Sequence, residues 1–166
     1  EFERALQLGY PREQVVPLLA RALVRSGQFD RVLDEFGEER FAAASAQATL
    51  LTALGDARMG KAEPAKAVAQ YEAALVANAE EFDARIGLGR ARLFSGEVDV
   101  AEAVIREALQ AHPDKAEAHA ALAQILFARQ LPDEAVRSLQ EALRLDPANV
   151  GYHFTVVTQL LRMNHL

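Results

Sequence analysis

Apolar residues recur along this chain at the spacing of amphipathic helices, and the helical pattern itself repeats every 34 residues. Each copy carries a Leu-Gly or Leu-Ala pair, then a single Ala, and seven residues later an Ala-Leu pair. A fixed period of this length is typical of stacked copies of one small unit, so we predict a repeat architecture. The pairs are Leu54-Gly55, Leu88-Gly89 and Leu122-Ala123, and the single residues are Ala67, Ala101 and Ala135.

Each unit is predicted to contain two amphipathic helices joined by a short turn. Gly27 and Gly96 supply the positive φ that such turns require, while Pro64 and Pro132 suit a first helical turn. The predicted first helices span residues 16–25, 46–59, 82–95, 116–129 and 150–163, and the second helices span 2–8, 29–36, 64–77, 98–111 and 132–145.

The pattern predicts an all-α protein, a right-handed α-solenoid of antiparallel helix pairs. The array divides into the second half of a unit (1–11), an irregular repeat (12–47), three regular repeats (48–81, 82–115 and 116–149) and the first half of a unit (150–166). In the irregular repeat, Pro17 should kink the first helix or delay its start, and Gly37 should shorten the second. The two half units lead us to expect a chain cut from a longer array.

Composition narrows the classes of function. Hydrophobic residues make up 51% of the chain and charged residues 25%, as expected of a folded protein. A net charge of -6 argues against nucleic acid as a partner, because phosphate binding needs a clustered basic surface. The sequence contains no cysteine and no apolar run long enough to span a membrane.

The repeated residues resemble the tetratricopeptide repeat (TPR) signature, which pairs a Leu-Gly step in one helix with Ala-x3-aromatic and Ala in the next. The resemblance implies the helical-hairpin solenoid and a noncatalytic scaffold that binds a protein or peptide in its concave groove. The best copy contains Arg85, Leu88, Gly89, Arg92, Ala101, Ile105, Ala108 and Pro113.

A narrower resemblance covers the first 35 residues. Phe2-Glu3-Arg4-Ala5-Leu6 and Gly27-Gln28-Phe29-Asp30 are similar to segments of the TPR lipoproteins of bacterial PEP-CTERM/exosortase systems. That resemblance implies a role in envelope export or exopolysaccharide assembly, and a periplasmic or envelope-associated location. Without it, a cytoplasmic location is expected.

The candidate binding surface is the concave face that first helices form in this family. One polar residue per unit is expected there, with an apolar row one turn further along the same helices. Such a face suits a peptide with apolar anchors and an acidic group near Arg90. The alternative is that Leu93, Phe94 and Phe127 pack between neighbouring units. The polar row is Arg21, Asp56, Arg90, Gln124 and Thr158, and the apolar row is Met59, Leu93, Phe94, Phe127 and Leu161.

One binding mode of the family is not expected. TPR domains that hold the carboxylate tail of heat-shock chaperones use lysine and asparagine side chains on the first helices. The corresponding positions here are Thr52, Asp56, Ile86, Arg90, Ala120 and Gln124, so the resemblance does not extend to that clamp.

We find no pattern that indicates catalysis, a metal or a cofactor. His119 and His153 lie one period apart, but they occupy the bulky position of the repeat and lack further ligands, which favours a structural role over zinc. Gly87-x-Gly89 lies within a predicted helix, where a phosphate loop is not expected. His165 falls near the end of the chain.

Two other functions stay open. A solenoid without polar caps exposes apolar end faces, so the chain could self-associate through Phe2, Leu6 and Leu8 at one end. The other end offers Phe154, Val157, Leu160 and Leu161. Alternatively, the array could be an accessory domain fused to an enzyme.

Overall fold

The computed structural model describes residues 1–163, which form helices and no β-strand. It divides into two compact units, the first spanning Glu1–Ser95 and the second beginning at Gly96. The helices are α1 (Phe2–Gln7), α2 (Arg12–Arg25), α3 (Phe29–Phe36), α4 (Ala44–Gly60), α5 (Pro64–Ala77), α6 (Phe82–Phe94), α7 (Val98–Ala111), α8 (Ala116–Ala128), α9 (Pro132–Leu145) and α10 (Val150–Met163).

Unit 1 is a stack of helical hairpins. Among the first helices, α2 contacts α4 and α4 contacts α6. The second helix α3 packs on α4, and the second helix α5 packs on both α4 and α6. Helix α1 packs on α2 in the manner of a second helix. This arrangement brings the polar faces of three first helices onto one side of the unit.

Unit 2 repeats the same contacts over a shorter length. Helix α8 packs against α7 and α9, and α9 packs against α10. The helical-hairpin architecture confirms the all-α solenoid class that the sequence predicts.

Alanine is the residue that makes the helix crossings close. Ala67, Ala101 and Ala135 are fully buried, as are the alanines seven residues after each of them. A side chain this small lets two helix backbones approach closely, and a larger one would overpack the contact. The burial of all six alanines is what a position at a helix crossing requires.

The turns that follow the first helices share one backbone conformation. Gly27 and Gly96 have φ of 74° and 81°, and their positive φ is as predicted. The equivalent positions in the other two hairpins hold Ala62, with φ of 57°, and Gln130, with φ of 61°. The last two are side-chain-bearing residues in the left-handed region, which costs free energy for any residue with a Cβ.

The irregular repeat differs from its prediction at one end. Helix α2 begins at Arg12 and continues through the buried Pro17, so its start is not delayed, and the alternative, a kink at Pro17, stays a prediction. Burial of the proline ring offsets the lost backbone hydrogen bond to Glu13. The expected shortening of the second helix is confirmed, because α3 ends at Phe36 after eight residues.

In three repeats, a side chain near the start of the first helix contacts a carbonyl oxygen of the preceding loop. Arg85 donates to the carbonyl oxygen of Ala79 at 2.6 Å. His119 and His153, at the equivalent positions, each have a ring nitrogen 2.9 Å from the carbonyl oxygen of the proline six residues earlier. Both imidazoles therefore have a structural contact, in keeping with the role that the sequence favours. His165 lies outside the described residues.

Candidate functional site

Tyr71 is the centre of a polar cluster in unit 1. Its ring is buried, with 1% exposure, and lies over Gly55 of α4 and Gly87 of α6. A Cβ at Gly55 would come within 2.6 Å of the ring, and one at Gly87 would overlap it. The two glycines therefore make room for the ring, and its hydroxyl reaches Asp56.

Asp56 accepts a hydrogen bond of 2.6 Å from the Tyr71 hydroxyl. Burial raises the pKa of the Asp56 carboxyl, and the nearby Asp83 raises it further, while the Tyr71 hydrogen bond and the charges of Arg21 and Arg90 oppose the rise. Burial and the Asp56 charge also raise the pKa of the Tyr71 hydroxyl. The carboxylate is thus held in a desolvated place at a cost that its partners do not fully offset.

Arg90 completes the cluster from α6. Its charge lowers the pKa of both Asp56 and Tyr71, so the guanidinium lies close to them. Its Nε is buried and has no hydrogen-bond partner among the residues that the structure describes. A buried donor without a partner is unfavourable, and in native proteins it is uncommon enough to need an explanation.

Arg21 and Asp83 lie at the edge of this cluster. Arg21 Nη2 on α2 donates to Asp83 Oδ2 on α6 at 2.8 Å, so the pair joins two first helices on either side of α4. Glu81 lies beside them, and burial followed by the charge of Asp83 raises the pKa of its carboxyl.

The apolar residues predicted for unit 1 differ in exposure. Met59 and Leu93 are half-buried, whereas Phe94 is 74% exposed at the end of α6. For Phe94 the exposure argues against the packing alternative and leaves its ring available on the surface. Phe94 follows Arg90 by one helical turn, so the two share a face of α6.

In unit 2 the predicted residues lie on α8 and α10. Gln124 is exposed and Phe127 is half-buried on α8. On α10, Leu161 is exposed, and Thr158 donates its hydroxyl to the carbonyl oxygen of Phe154 within its own helix. The structure thus brings together Arg21, Asp56 and Arg90 in unit 1, and it surrounds none of the unit 2 residues with a comparable polar cluster in the part of the chain that it describes.

Sequence reasoning does not identify the other members of the cluster. The repeat pattern contains Gly55 only as part of its Leu-Gly pair, Gly87 is considered only for a phosphate loop, and neither Tyr71 nor Asp83 is singled out. A signal was available, because Tyr71 occupies a position that the apolar residues Phe36, Ile105 and Leu139 fill in the other repeats. A hydroxyl at a core position needs a partner, which points to a polar residue nearby.

Within residues 1–163 no three His, Cys, Asp or Glu side chains lie close enough together to hold a metal ion. No described helix is long and apolar enough to cross a membrane.

Repeated helical hairpins, stacked through small residues and lacking strands in the described range, define a solenoid repeat protein of the α-hairpin class. The tetratricopeptide repeat model matches residues 52–94 and 86–150, which together span more than half of the chain. The chain belongs to the tetratricopeptide repeat family, whose members are generally noncatalytic scaffolds for protein interaction. No curated protein matches the chain.

Solved structures of similar shape come from several TPR proteins. A thermophilic TPR protein of Thermus thermophilus is 21% identical with a TM-score of 0.76, over 96% of this chain and 87% of that one. MamA (41-end) of Desulfovibrio magneticus RS-1 is 19% identical with a TM-score of 0.69, over 92% and 86% of the two chains. The first TPR of Spaghetti (RPAP3), bound to an HSP90 peptide, is 18% identical with a TM-score of 0.66, over 72% and 98%. At these identities the likeness establishes the fold.

Proposed function

We propose that this protein is a noncatalytic interaction scaffold whose unit 1 binds an extended peptide segment of a partner. The binding face is formed by α2, α4 and α6, with Arg21, Asp56 and Arg90 as its polar centre. The observation that carries the proposal is the Arg90 guanidinium, whose buried Nε has no hydrogen-bond partner among the described residues. A peptide offers backbone carbonyl and carboxylate oxygens that a guanidinium can bind.

The electrostatics of Asp56 support the same interpretation. Its carboxyl pKa is raised mainly by burial, so the protein retains a partly compensated charge where a neutral residue would cost less. Perturbed groups of this kind concentrate at functional sites more often than on ordinary surfaces.

The exposed ring of Phe94 supplies an apolar element beside Arg90. An aromatic side chain next to an arginine is a common composition for the energetic centre of a protein interface. We assign Met59 and Leu93 to the margin of this face because both are half-buried. For unit 2 we propose Gln124, Phe127, Thr158 and Leu161 as a separate contact surface on α8 and α10.

The proposal is tested by selecting peptides from a display library on the wild-type protein and measuring their binding to variants. Arg90→Glu should weaken the selected peptides by at least tenfold, which corresponds to about 1.4 kcal/mol. Phe127→Ala tests the unit 2 contact, and Arg137→Glu on α9 is the matched control with the same charge change at an exposed residue. If the peptides bind Arg90→Glu and Phe127→Ala as well as the wild type, the first helices are not the binding face.

A second candidate function is self-association through α10. Val150, Phe154, Val157 and Leu161 follow one another at spacings of four, three and four residues, and each is more than half exposed. That spacing makes a single apolar stripe of the kind that pairs with another helix. The Leu160 side chain, which belongs to the same sequence prediction, lies outside the described side chains.

Sedimentation velocity over a range of concentrations distinguishes this candidate. Phe154→Ser should convert an associating protein to a monomer, while Val76→Ser, at an exposed valine of α5, should leave its state unchanged. A wild-type protein that stays monomeric throughout would rule out the α10 interface.

The role in envelope export is a narrower proposal that rests on the resemblance of the first 35 residues to TPR lipoproteins of PEP-CTERM systems. Expression of the full-length gene in its natural host, followed by membrane fractionation, tests it. Recovery of the protein in the cytoplasm alone would contradict an envelope role.

A further inference from the structure

The ion pair between Arg21 and Asp83 joins two first helices that are separated by a third. Arg21 lies near the middle of α2 and Asp83 in the first turn of α6, with α4 between the two helices. The atoms are 2.8 Å apart, and the side chains are 38% and 46% exposed, respectively. The pair therefore crosses the face that we propose for peptide binding, at its solvent side.

The Arg21 guanidinium is one of two that act on Asp56. Both Arg21 and Arg90 lower the pKa of that carboxyl, whereas Asp83 raises it. Arg21 has a carboxylate partner, and the Nε of Arg90 has none among the described residues. The Asp83 contact shows that a carboxylate fits at this position beside the cluster.

We infer that Asp83 is a built-in competitor, which in the free protein occupies the place of an acidic side chain of the partner peptide. The partner carboxylate binds Arg21 in exchange for Asp83 and lies next to the Arg90 guanidinium. This inference rests on the proposed function and adds to it the arginine that an acidic side chain of the ligand contacts and a residue that restrains binding.

Two observations favour an acidic ligand over a basic one. When an acidic ligand displaces Asp83, the released carboxylate stays at the N-terminal turn of α6, where the helix dipole stabilises negative charge. A basic ligand would instead take Asp83 and release Arg21 into a cluster where Arg90 already has an unpaired donor. The acidic ligand therefore leaves fewer unfavourable groups.

The exchange requires that the internal pair be weak. Ion pairs as exposed as this one generally contribute little to stability, because water and salt screen them. Asp83 can therefore be displaced without loss of the fold, yet it reduces the affinity for any ligand that needs Arg21.

The test uses the full chain and fluorescein-labelled, C-amidated peptides with one Leu and one Glu at varied spacing, each matched with a Gln peptide. Asp83→Asn should tighten binding of the Glu peptides about two- to fivefold, as expected for removal of an exposed ion pair. The Gln peptides should be unaffected. In an Arg21→Gln background, Asp83→Asn should give no gain, because the competition needs Arg21.

Glu81→Gln is the matched control, because it removes the same charge beside Asp83 without a hydrogen bond from Arg21. An equal gain in Glu81→Gln, or a gain that persists without Arg21, would show a general charge effect and overturn the inference. Unchanged binding in Asp83→Asn would also overturn it, while Arg90-dependent binding would leave the proposed function intact. If the Glu peptides bind no better than the Gln peptides, the acidic ligand is wrong. Loss of Arg90 dependence among selected peptides would instead contradict the proposed function itself.

Discussion

The conformation of single residues at the hairpin turns sets a cost that differs among the units. Gly27 and Gly96 adopt positive φ without steric penalty, whereas Ala62 and Gln130 adopt it with a side chain. For an L-residue the left-handed conformation costs about 1–2 kcal/mol, and a glycine in its place gives back about 0.5–1 kcal/mol in chain flexibility. The turns of the second and fourth hairpins are therefore less favourable than they could be.

Ala62→Gly should accordingly stabilise the protein by about 0.5–1 kcal/mol, the net of those two terms. Chemical denaturation followed by circular dichroism measures the change in the free energy of unfolding. Gly96→Ala is the reciprocal control and should destabilise. A destabilised Ala62→Gly would mean that the turn is not strained.

Asp56 should make stability depend on pH in a defined direction. Its folded pKa lies above the ordinary value of 3.8, so the folded protein binds more protons than the unfolded chain just above that pH. Its contribution therefore decreases as pH rises from 3.8 through the raised pKa. Asp56→Asn keeps an acceptor for Tyr71. Its free energy of unfolding relative to the wild type should rise as pH increases from 3.8 to the raised pKa, and should stay at that higher value above the raised pKa.

Denaturation of both proteins across this pH range measures the difference between them, so that contributions of other carboxyl groups cancel. Glu39 belongs to that background, because its pKa is lowered, first by the hydrogen bond from Arg12. A relative stability of Asp56→Asn that falls as pH rises would contradict a desolvated Asp56.

At the scale of helices, the size of a core side chain on a second helix varies with the size of the residues that it faces on the first helices. In unit 1 the large ring of Tyr71 lies over Gly55 and Gly87, whereas in unit 2 the smaller Leu139 occupies the equivalent position. The residues of unit 2 that correspond to the two glycines are Ala123, which is buried, and Thr155, which is half-buried. A smaller core side chain thus accompanies larger residues on the helices opposite.

Gly87→Ala should overpack the contact and destabilise the protein by about 1–3 kcal/mol. Tyr71→Leu in the same chain should recover part of the loss, because the smaller side chain leaves room for a Cβ, as Leu139 does in unit 2. A double-mutant cycle from urea denaturation measures this coupling. Additive effects of the two substitutions would show that Tyr71 and Gly87 do not share one contact.

The elements were more predictable than the site. Turn glycines, N-terminal prolines and the alanine positions are local signals, and they identified the helices to within a few residues. At Pro17 the local pattern is insufficient, because the burial of the ring, which depends on neighbouring helices, compensates for the missing amide donor. The row of Arg21, Asp56 and Arg90 follows from helix geometry, whereas the Arg21–Asp83 pair depends on how α2, α4 and α6 pack together, which no local pattern encodes.

For the whole molecule, the division into two compact units has a testable consequence. All residues of the Tyr71 cluster lie between 21 and 90, inside unit 1. Since repeats in solenoids are stabilised mainly by their neighbours, residues 1–95 should fold alone and bind the peptides that depend on Arg90 with an affinity within about threefold of the full chain. Circular dichroism and fluorescence anisotropy measure both properties. An unfolded fragment would show that unit 1 needs the rest of the chain.

The Tyr71–Asp56 hydrogen bond also gives the protein an optical reporter. The sequence has no tryptophan and three tyrosines, of which Tyr10 is exposed and Tyr71 is the one joined to a carboxylate in the cluster. A carboxylate acceptor quenches the fluorescence of a phenol. Ligands that disturb Asp56 should therefore change the intensity of the tyrosine fluorescence, and no added label is needed. Binding at this face could therefore be followed in the light that the unmodified molecule emits.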